Sequence, residues 1–299
     1  MRAANRASCN ILATTLALAL AACTPGGDSA TGATSIEGAT PAPKATGPQA
    51  GPIDDAAVSA FLASTYGPAA AQSGEWKTVP ADAAFRAEGG ESDGQIVRTV
   101  CEREPVTLAG QPAMLLAVCG SVQEAGHPAA GVNDFFLLQR SGDTLSATSS
   151  AHMAEFGSRG TPGEVDVERL GADLYGFVVE TGFYNMGQSV GTRHILLPKG
   201  NTFIDAGWFR DDLSNEDSMK GCGERGDCGP DDAYDIDFDL RVDDSDPAAA
   251  AYPLLVTESG TACGKPADAQ HRMTLDSASM TYEVPAALQR DGCMVAASQ

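Results

Sequence analysis

The stretch Asp235-Ile236-Asp237-Phe238-Asp239-Leu240-Arg241-Val242 carries the sharpest chemical pattern in this chain. In an extended strand alternate residues share a face. Asp235, Asp237, Asp239 and Arg241 therefore line one side, and Ile236, Phe238, Leu240 and Val242 point to a core. Three aligned carboxylates repel one another, so something must offset them: the Arg241 charge, or a hard cation such as calcium. A calcium loop of the EF-hand kind needs glycine at its sixth position, where Leu240 stands. The apolar interleaving is that of a strand. The pattern predicts a solvent-facing acidic binding surface that holds no metal. Asp243, Asp244 and Asp246 follow in a turn closed by Pro247.

Gly187-Gln188-Ser189-Val190-Gly191 matches G-x-S-x-G, the pattern that presents a nucleophilic serine on a strained strand-to-helix turn. Such a turn needs a helix behind it. Thr192-Arg193-His194-Ile195-Leu196-Leu197 is short and strand-like and Pro198 ends it, so the segment reads as a glycine-rich hairpin connection. A serine hydrolase using Ser189, an acid among Asp231 to Asp246, and His271 is the alternative functional class. Cys222-Gly223-Glu224-Arg225-Gly226-Asp227-Cys228 would present Arg-Gly-Asp, an adhesion signal, on a small closed loop. The four histidines, His127, His152, His194 and His271, show no pair at ligand spacing. They are read as surface or packed residues, with no catalytic residue, metal or cofactor expected. Phe183-Tyr184-Asn185-Met186 sits between two glycines and reads first as the buried end of a hairpin, second as an exposed recognition tip.

These residues need elements to position them. Asp54 can cap a helix in which Val58, Phe61, Leu62 and Tyr66 have helical spacing, Ile53 can staple onto Val58, and Gly67-Pro68 stops it. Beyond it the chain reads as strands at 95–102, 113–121, 134–140, 143–150, 164–169, 173–181, 191–197, 201–208, 234–242, 252–258, 270–276 and 279–284. No long helical period interrupts them, which argues against βαβ units. The expected fold is mainly β: antiparallel meanders, propeller-like or sandwich, with one short N-terminal helix. Two hairpins rhyme, Phe136–Leu145 with Ile195–Phe203, and so do Phe177–Gly182, Leu255–Gly260 and, more loosely, Leu115–Gly120. Such recurrence suggests a repeated meander unit like a propeller blade. The run from Asp235 through Tyr252-Pro253-Leu254-Leu255-Val256 resembles the FG-GAP type of blade, with an Asp-rich turn before an apolar strand. That family's glycine-bearing Asp loop is missing here, which argues against calcium.

Cys101, Cys119, Cys222, Cys228, Cys263 and Cys293 form an even set in the body of the chain. An oxidising compartment and a disulfide-stapled fold follow. Many pairings are open. Nearest neighbours, Cys101–Cys119, Cys222–Cys228 and Cys263–Cys293, are the simplest, each worth about 2–4 kcal/mol.

Arg2 and Arg6 precede the apolar run Ile11–Leu20 and then Ala21-Ala22-Cys23. The run is shorter than the roughly 20 residues a spanning helix needs and has the length of a secretion signal core. Leu20-Ala21-Ala22-Cys23 resembles the lipobox of bacterial lipoproteins. The resemblance implies that residues 1–22 are a cleaved signal peptide and that Cys23 carries diacylglycerol and an N-acyl chain such as palmitate. Stable anchoring takes more than one acyl chain, and this arrangement supplies it. Thr24 replaces the aspartate that retains such proteins at the inner membrane, so the outer membrane, on its periplasmic or surface face, is favoured. Residues 23–52, dominated by Pro, Gly, Ala and Thr, read as a flexible tether with a reach of roughly 30 Å. Residues 53–299 read as a single β-rich domain.

The chain has 19 basic and 40 acidic residues, a net charge of −21. That balance repels nucleic acid and anionic head groups and favours basic partners. Together the features predict an envelope lipoprotein, bound to the bilayer through Cys23, that works as a binding or inhibitory module for a cationic envelope protein and has no enzymatic activity. Besides the hydrolase, a structural envelope component without a discrete ligand is the remaining alternative.

Overall fold

Apolar–polar alternation in the middle of the chain builds two antiparallel meanders. The computed structural model describes residues 51–72, 74–78, 95–123, 125–127, 129–142 and 144–293. Cys23, the signal and most of the tether lie outside the described residues. The first sheet has the order β1 (Trp76–Thr78), β2 (Ile96–Leu108), β3 (Gln111–Val122), β4 (Gly131–Ser141), β5 (Thr144–Phe156). The second runs back along β12 (Lys265–Pro266), β11 (Leu254–Ala262), β10 (Tyr234–Val242), β9 (Thr202–Ser214), β8 (Gln188–Lys199), β7 (Tyr175–Asn185) and β6 (Glu164–Arg169), with β13 (Gln270–Met273) also on β11. β14 (Leu275–Asp276) and β15 (Thr281–Tyr282) form a separate small pair. The expected mainly β, antiparallel and disulfide-stapled class is the one observed, and the sheets curl toward a half-barrel.

The strands β3 and β4 are nearly continuous apolar runs because both their faces are covered. Met114, Leu116, Val118, Phe136 and Leu138 pack beneath helix α1 (Asp55–Tyr66), against Val58 and Leu62. Their alternates Ala113, Leu115, Ala117, Phe135 and Leu137 meet Phe177, Val179, Leu196 and Phe203 of the second sheet. The layers are thus helix, sheet, sheet, which is the sandwich form of the expected fold. On β8 the pattern repeats: Ile195 and Leu197 point away from Leu196, into a third core with Phe209, Ile236, Phe238 and the C-terminal residues Met273, Tyr282 and Leu288.

Helix α1 forms as the sequence predicts. Asp54 Oδ1 accepts from the Ala57 N–H at 2.8 Å, and Gly67, at φ 95°, ends the helix. A buried carboxylate ties it to the sheet. Asp134 Oδ2 accepts from Tyr66 Oη at 2.5 Å and from Arg98 Nη1 at 2.7 Å, and Oδ1 accepts from the Met153 N–H at 2.6 Å.

All three nearest-neighbour disulfides are present, with Cα–Cα distances of 5.6 Å for Cys101–Cys119, 5.7 Å for Cys222–Cys228 and 5.5 Å for Cys263–Cys293. Cys101 sits at a β-bulge in β2, and Cys263–Cys293 fastens the C-terminal segment to the end of β11. Several expectations need correction. Helix α2 (Glu216–Arg225) was not foreseen. Its last residue is Arg225 and Gly226 is its left-handed cap, so Arg-Gly-Asp is a helix end and not an open loop. Strand β1 was also missed, and most other strands run longer than expected. Leu255–Gly260 lies in β11 and leads only into the two-residue β12, but the other two rhyming segments occupy matching places, Leu115–Gly120 in β3 and Phe177–Gly182 in β7. Each precedes one of the similar hairpins, β4–β5 and β8–β9, which turn at Gly142 and Gly200, both at positive φ. Among the described residues, however, these units merge into sheets of five and eight strands. No described helix is long and apolar enough to cross a membrane.

Candidate functional site

Strand β10 alternates as its sequence dictates. Ile236 and Phe238 are buried, while Asp235, Asp237, Asp239 and Arg241 are exposed. Across the ladder Asp235, Asp237 and Asp239 face Thr261, Ser259 and Thr257 of β11, and Arg241 faces Leu255. None of the three aspartates is in an ion pair within 4.0 Å among the described residues. No group of three or more His, Cys, Asp or Glu side chains among the described residues is arranged to hold a metal.

On its other edge β10 meets β9 only briefly, at Asp235–Ser214, Ile236–Leu213 and Asp237–Asp212. This pairing brings the acidic strand to a β-bulge. Thr192 pairs Arg210 and Val190 pairs Leu213, so Asp211 and Asp212 together oppose the single residue Gly191. A β-carbon on Gly191 would lie 2.1 Å from Asp212 Oδ1, so any larger residue there would displace the Asp212 carboxylate. The other oxygen, Asp212 Oδ2, accepts from Ser189 Oγ at 2.6 Å. Arg193 bridges Asp211 at 2.7 Å and Glu180 at 2.6 Å. Burial pushes the Asp211 carboxyl up most strongly. Arg193 pulls it down, and Glu180, Asp212 and Asp237 push it up again, to about 6.

The β5–β6 connection, residues 157–163, lies over this bulge. Close backbone approach holds it: a β-carbon on Gly157 would meet the Thr161 carbonyl oxygen at 2.1 Å, and one on Gly163 the Glu180 carbonyl oxygen at 2.7 Å. Between this connection and strands β7 to β9 runs a groove of two adjoining cavities that share Ser158, Gly182 and Asp212. The wider, about 530 Å³, is walled by Phe183, Tyr184, Val190 and Arg159. The narrower, about 290 Å³, is lined by Glu164, Glu180, Asp211 and Gly191.

The hairpin that carries the aromatic wall turns at Met186 (φ 51°) and Gly187 (φ 82°), two successive positive-φ residues that match the twist of a tight β-hairpin. Helix α2 backs it, since a β-carbon on Gly187 would meet the Ser218 amide nitrogen at 2.5 Å. Tyr184 Oη donates to Asp217 Oδ2 at 3.1 Å. That bond pushes the Tyr184 phenol up, and Lys220 with Tyr184 pulls the Asp217 carboxyl down. Phe183, Tyr184 and Met186 are 40 %, 49 % and 86 % exposed and are the large apolar side chains left open among the described residues. The segment is therefore an exposed tip and not the buried hairpin end expected first. The His127 ring lies edge-on to Phe183 at 5.8 Å, and its Nε2 is 2.8 Å from Arg159 Nη2.

Ser189 thus sits in a hairpin strand, followed by strand and not by helix. Its hydrogen-bond partner is Asp212, outside the range the sequence offered, while His271 Nε2 lies 2.6 Å from the buried Glu258 Oε1. His194 Nδ1 lies 2.8 Å from Asp205 Oδ2. Asp211, Asp212, Glu180 and Arg193 escaped sequence reasoning. The available signal was the adjacent Asp211-Asp212 pair between Phe209 and Leu213 in β9. Comparison of the chain with protein-family models, curated proteins and solved structures found no match.

Proposed function

We propose that the chain is a binding module for a basic protein, held at a bacterial envelope membrane by lipid on Cys23 and acting there as a blocking or sequestering partner. One observation carries the reading: the acidic face of β10 continues through the Asp237–Asp212 pairing into the bulge and groove, with no ion pair on Asp235, Asp237 or Asp239 among the described residues. Aligned, unneutralised carboxylates on a rigid sheet raise the local concentration of cations and steer a basic partner to one face. The disulfides and the two-sheet core hold that face in shape without the partner. The net charge of −21 favours the same class of ligand. The lipobox-like ending at Cys23 supplies the location.

The test uses the full chain, expressed with its signal, and a purified cationic cell-wall hydrolase as probe in biolayer interferometry. Binding that weakens steeply with salt is expected, together with a slower association for the triple variant Asp235→Asn, Asp237→Asn, Asp239→Asn. Wild-type and triple variant binding alike, or neither binding at low salt, would overturn the reading. Incorporation of labelled palmitate, lost in Cys23→Ser, tests the anchor separately.

A further inference from the structure

We infer that the groove between the Phe183–Tyr184 wall and the Asp211–Asp212 bulge seats one arginine or lysine side chain of a basic partner segment. The inference rests on the acidic surface being the partner-binding face and adds the point at which that partner is gripped. The groove is mainly apolar at its mouth. Phe183 and Tyr184 stand open to solvent while the other large apolar side chains, Met186 apart, are covered among the described residues. Aromatic faces left open beside an acidic floor attract cations through the ring quadrupole. Long basic side chains also have the matching shape, an apolar stem that packs on rings and a charged head that reaches beyond it.

The floor supplies what the head requires. Asp212 spends one oxygen on Ser189, and its other oxygen lies over Gly191, where the absence of a β-carbon leaves it room. Arg193 is shared between Glu180 and Asp211, so one internal cation serves a group of acids that also includes Asp212 and Asp237. The groove consequently carries excess negative charge, and Asp211 registers it. Arg159 also lines the wider cavity and keeps its charge beside His127, so Glu164, Glu180, Asp211 and Asp212 outnumber the two cations Arg159 and Arg193. A planar guanidinium can stack on the aromatic wall while donating in parallel to a carboxylate, so arginine suits the groove better than lysine.

Two small probes decide the matter: N-acetyl-arginine amide and its neutral counterpart N-acetyl-citrulline amide, titrated into the full chain and followed by NMR at the Phe183 and Tyr184 ring resonances. Saturable shifts at both rings are expected with arginine, weakened at least fivefold with citrulline, and weakened severalfold by Asp212→Asn. Phe183→Ser, at an exposed position that does not threaten folding, gives an independent loss. Absence of saturable shifts, equal binding of citrulline, or full binding by both variants would overturn the inference. The cationic hydrolase separates the two claims. If it binds Asp212→Asn and Phe183→Ser as wild type but fails on the β10 triple variant, the groove is refuted and the acidic-face reading stands. If arginine titrates but the hydrolase does not bind, the groove stands and that reading falls.

Discussion

Replacing Asp134 by alanine should remove about 3–5 kcal/mol of stability, the range for leaving one member of a buried ion pair alone. Asp134 is 1 % exposed and Arg98 4 %. Without the carboxylate, Arg98 keeps, among the described residues, Thr78 Oγ1 at 2.9 Å as its oxygen partner, and both the Tyr66 hydroxyl and the Met153 N–H lose their acceptor. These groups belong to α1, β2 and β5, so the loss is felt by helix and sheet together. A domain of this kind is stable by about 5–15 kcal/mol in all, which makes the change large. The charge state supports the size. Burial alone raises the Asp134 carboxyl, yet His152, 4.0 Å away, Arg98, the Met153 N–H and Tyr66 together hold it below its ordinary 3.8. Its stabilising contribution is therefore complete above pH 3.8 and disappears only as pH falls through the lower folded value. Urea denaturation followed by tryptophan fluorescence checks this, because Trp76 lies 5.5 Å from the Tyr66 ring. The paired replacement Arg98→Met, Asp134→Leu should recover the part of the loss that comes from the stranded Arg98 charge, while the Tyr66 hydroxyl and the Met153 N–H still lack their acceptor. A single variant within about 0.5 kcal/mol of wild type, or no coupling energy in the double-mutant cycle, would refute the reasoning.

Asp211 should behave in the opposite way. Its folded value of about 6, against an ordinary 3.8, corresponds to a ceiling of about 3 kcal/mol, reduced to about 1–2 kcal/mol because a quarter of the side chain is exposed and screened. That cost is fully present above pH 6 and absent below pH 3.8, so Asp211→Asn should stabilise the protein at pH 8 and leave it unchanged near pH 3.5. Equal effects in melts at the two pH values would contradict the cause given. Gly191→Ala should push the Asp212 carboxylate off its seat, break the Ser189 contact and cost about 1–3 kcal/mol by overpacking, with arginine binding lost alongside. Unchanged denaturation midpoints would show that the strand shifts to make room.

How much of this was legible depends on how local each cause is. The Asp54 cap, the spacing of Val58 and Leu62 and the Gly67 stop lie within one short segment, so α1 could be read directly. Period-two alternation at 235–242 likewise gave both the strand and its outward acids. Of the three nearest-neighbour disulfides, Cys101–Cys119 follows from the β2–β3 hairpin, Cys222–Cys228 from a short loop at a helix end, and Cys263–Cys293 from the return of the C-terminal segment to β11. Helix α2 was hidden for the converse reason. Gly221 and Gly223 interrupt it, and none of the residues from Glu216 to Gly223 is buried. It forms because Lys220 pairs with Glu216 and Asp217 and because the Cys222–Cys228 bond closes its end. The tip at Phe183–Met186 was placed in the core because its residues are apolar. Yet what lies against it is polar, helix α2 through Asp217 and Ser218 and the His127 ring, so its apolar side chains stay open.

The groove was harder still, because it comes from pairings between strands and not from any one of them. Glu180 faces Arg193 across β7 and β8, Asp211 and Asp212 crowd opposite Gly191, and Asp237 arrives through a β9–β10 ladder of three pairs. After those pairs β10 leaves β9 and stays with β11 along its whole length. The three pairs before that departure therefore deliver the acidic strand to the bulge. The packing does not demand this: Gly191, Gly182 and Ser189 contribute little apolar area, and the crowding raises Asp211 at a cost to stability. A carboxyl pushed up by burial and by neighbouring acids, as Asp211 is, in an open cleft is a functional-site candidate. A cation entering the groove would relieve the repulsion that the fold by itself leaves in place, so binding should be strongest when Asp211 is ionised, above pH 6.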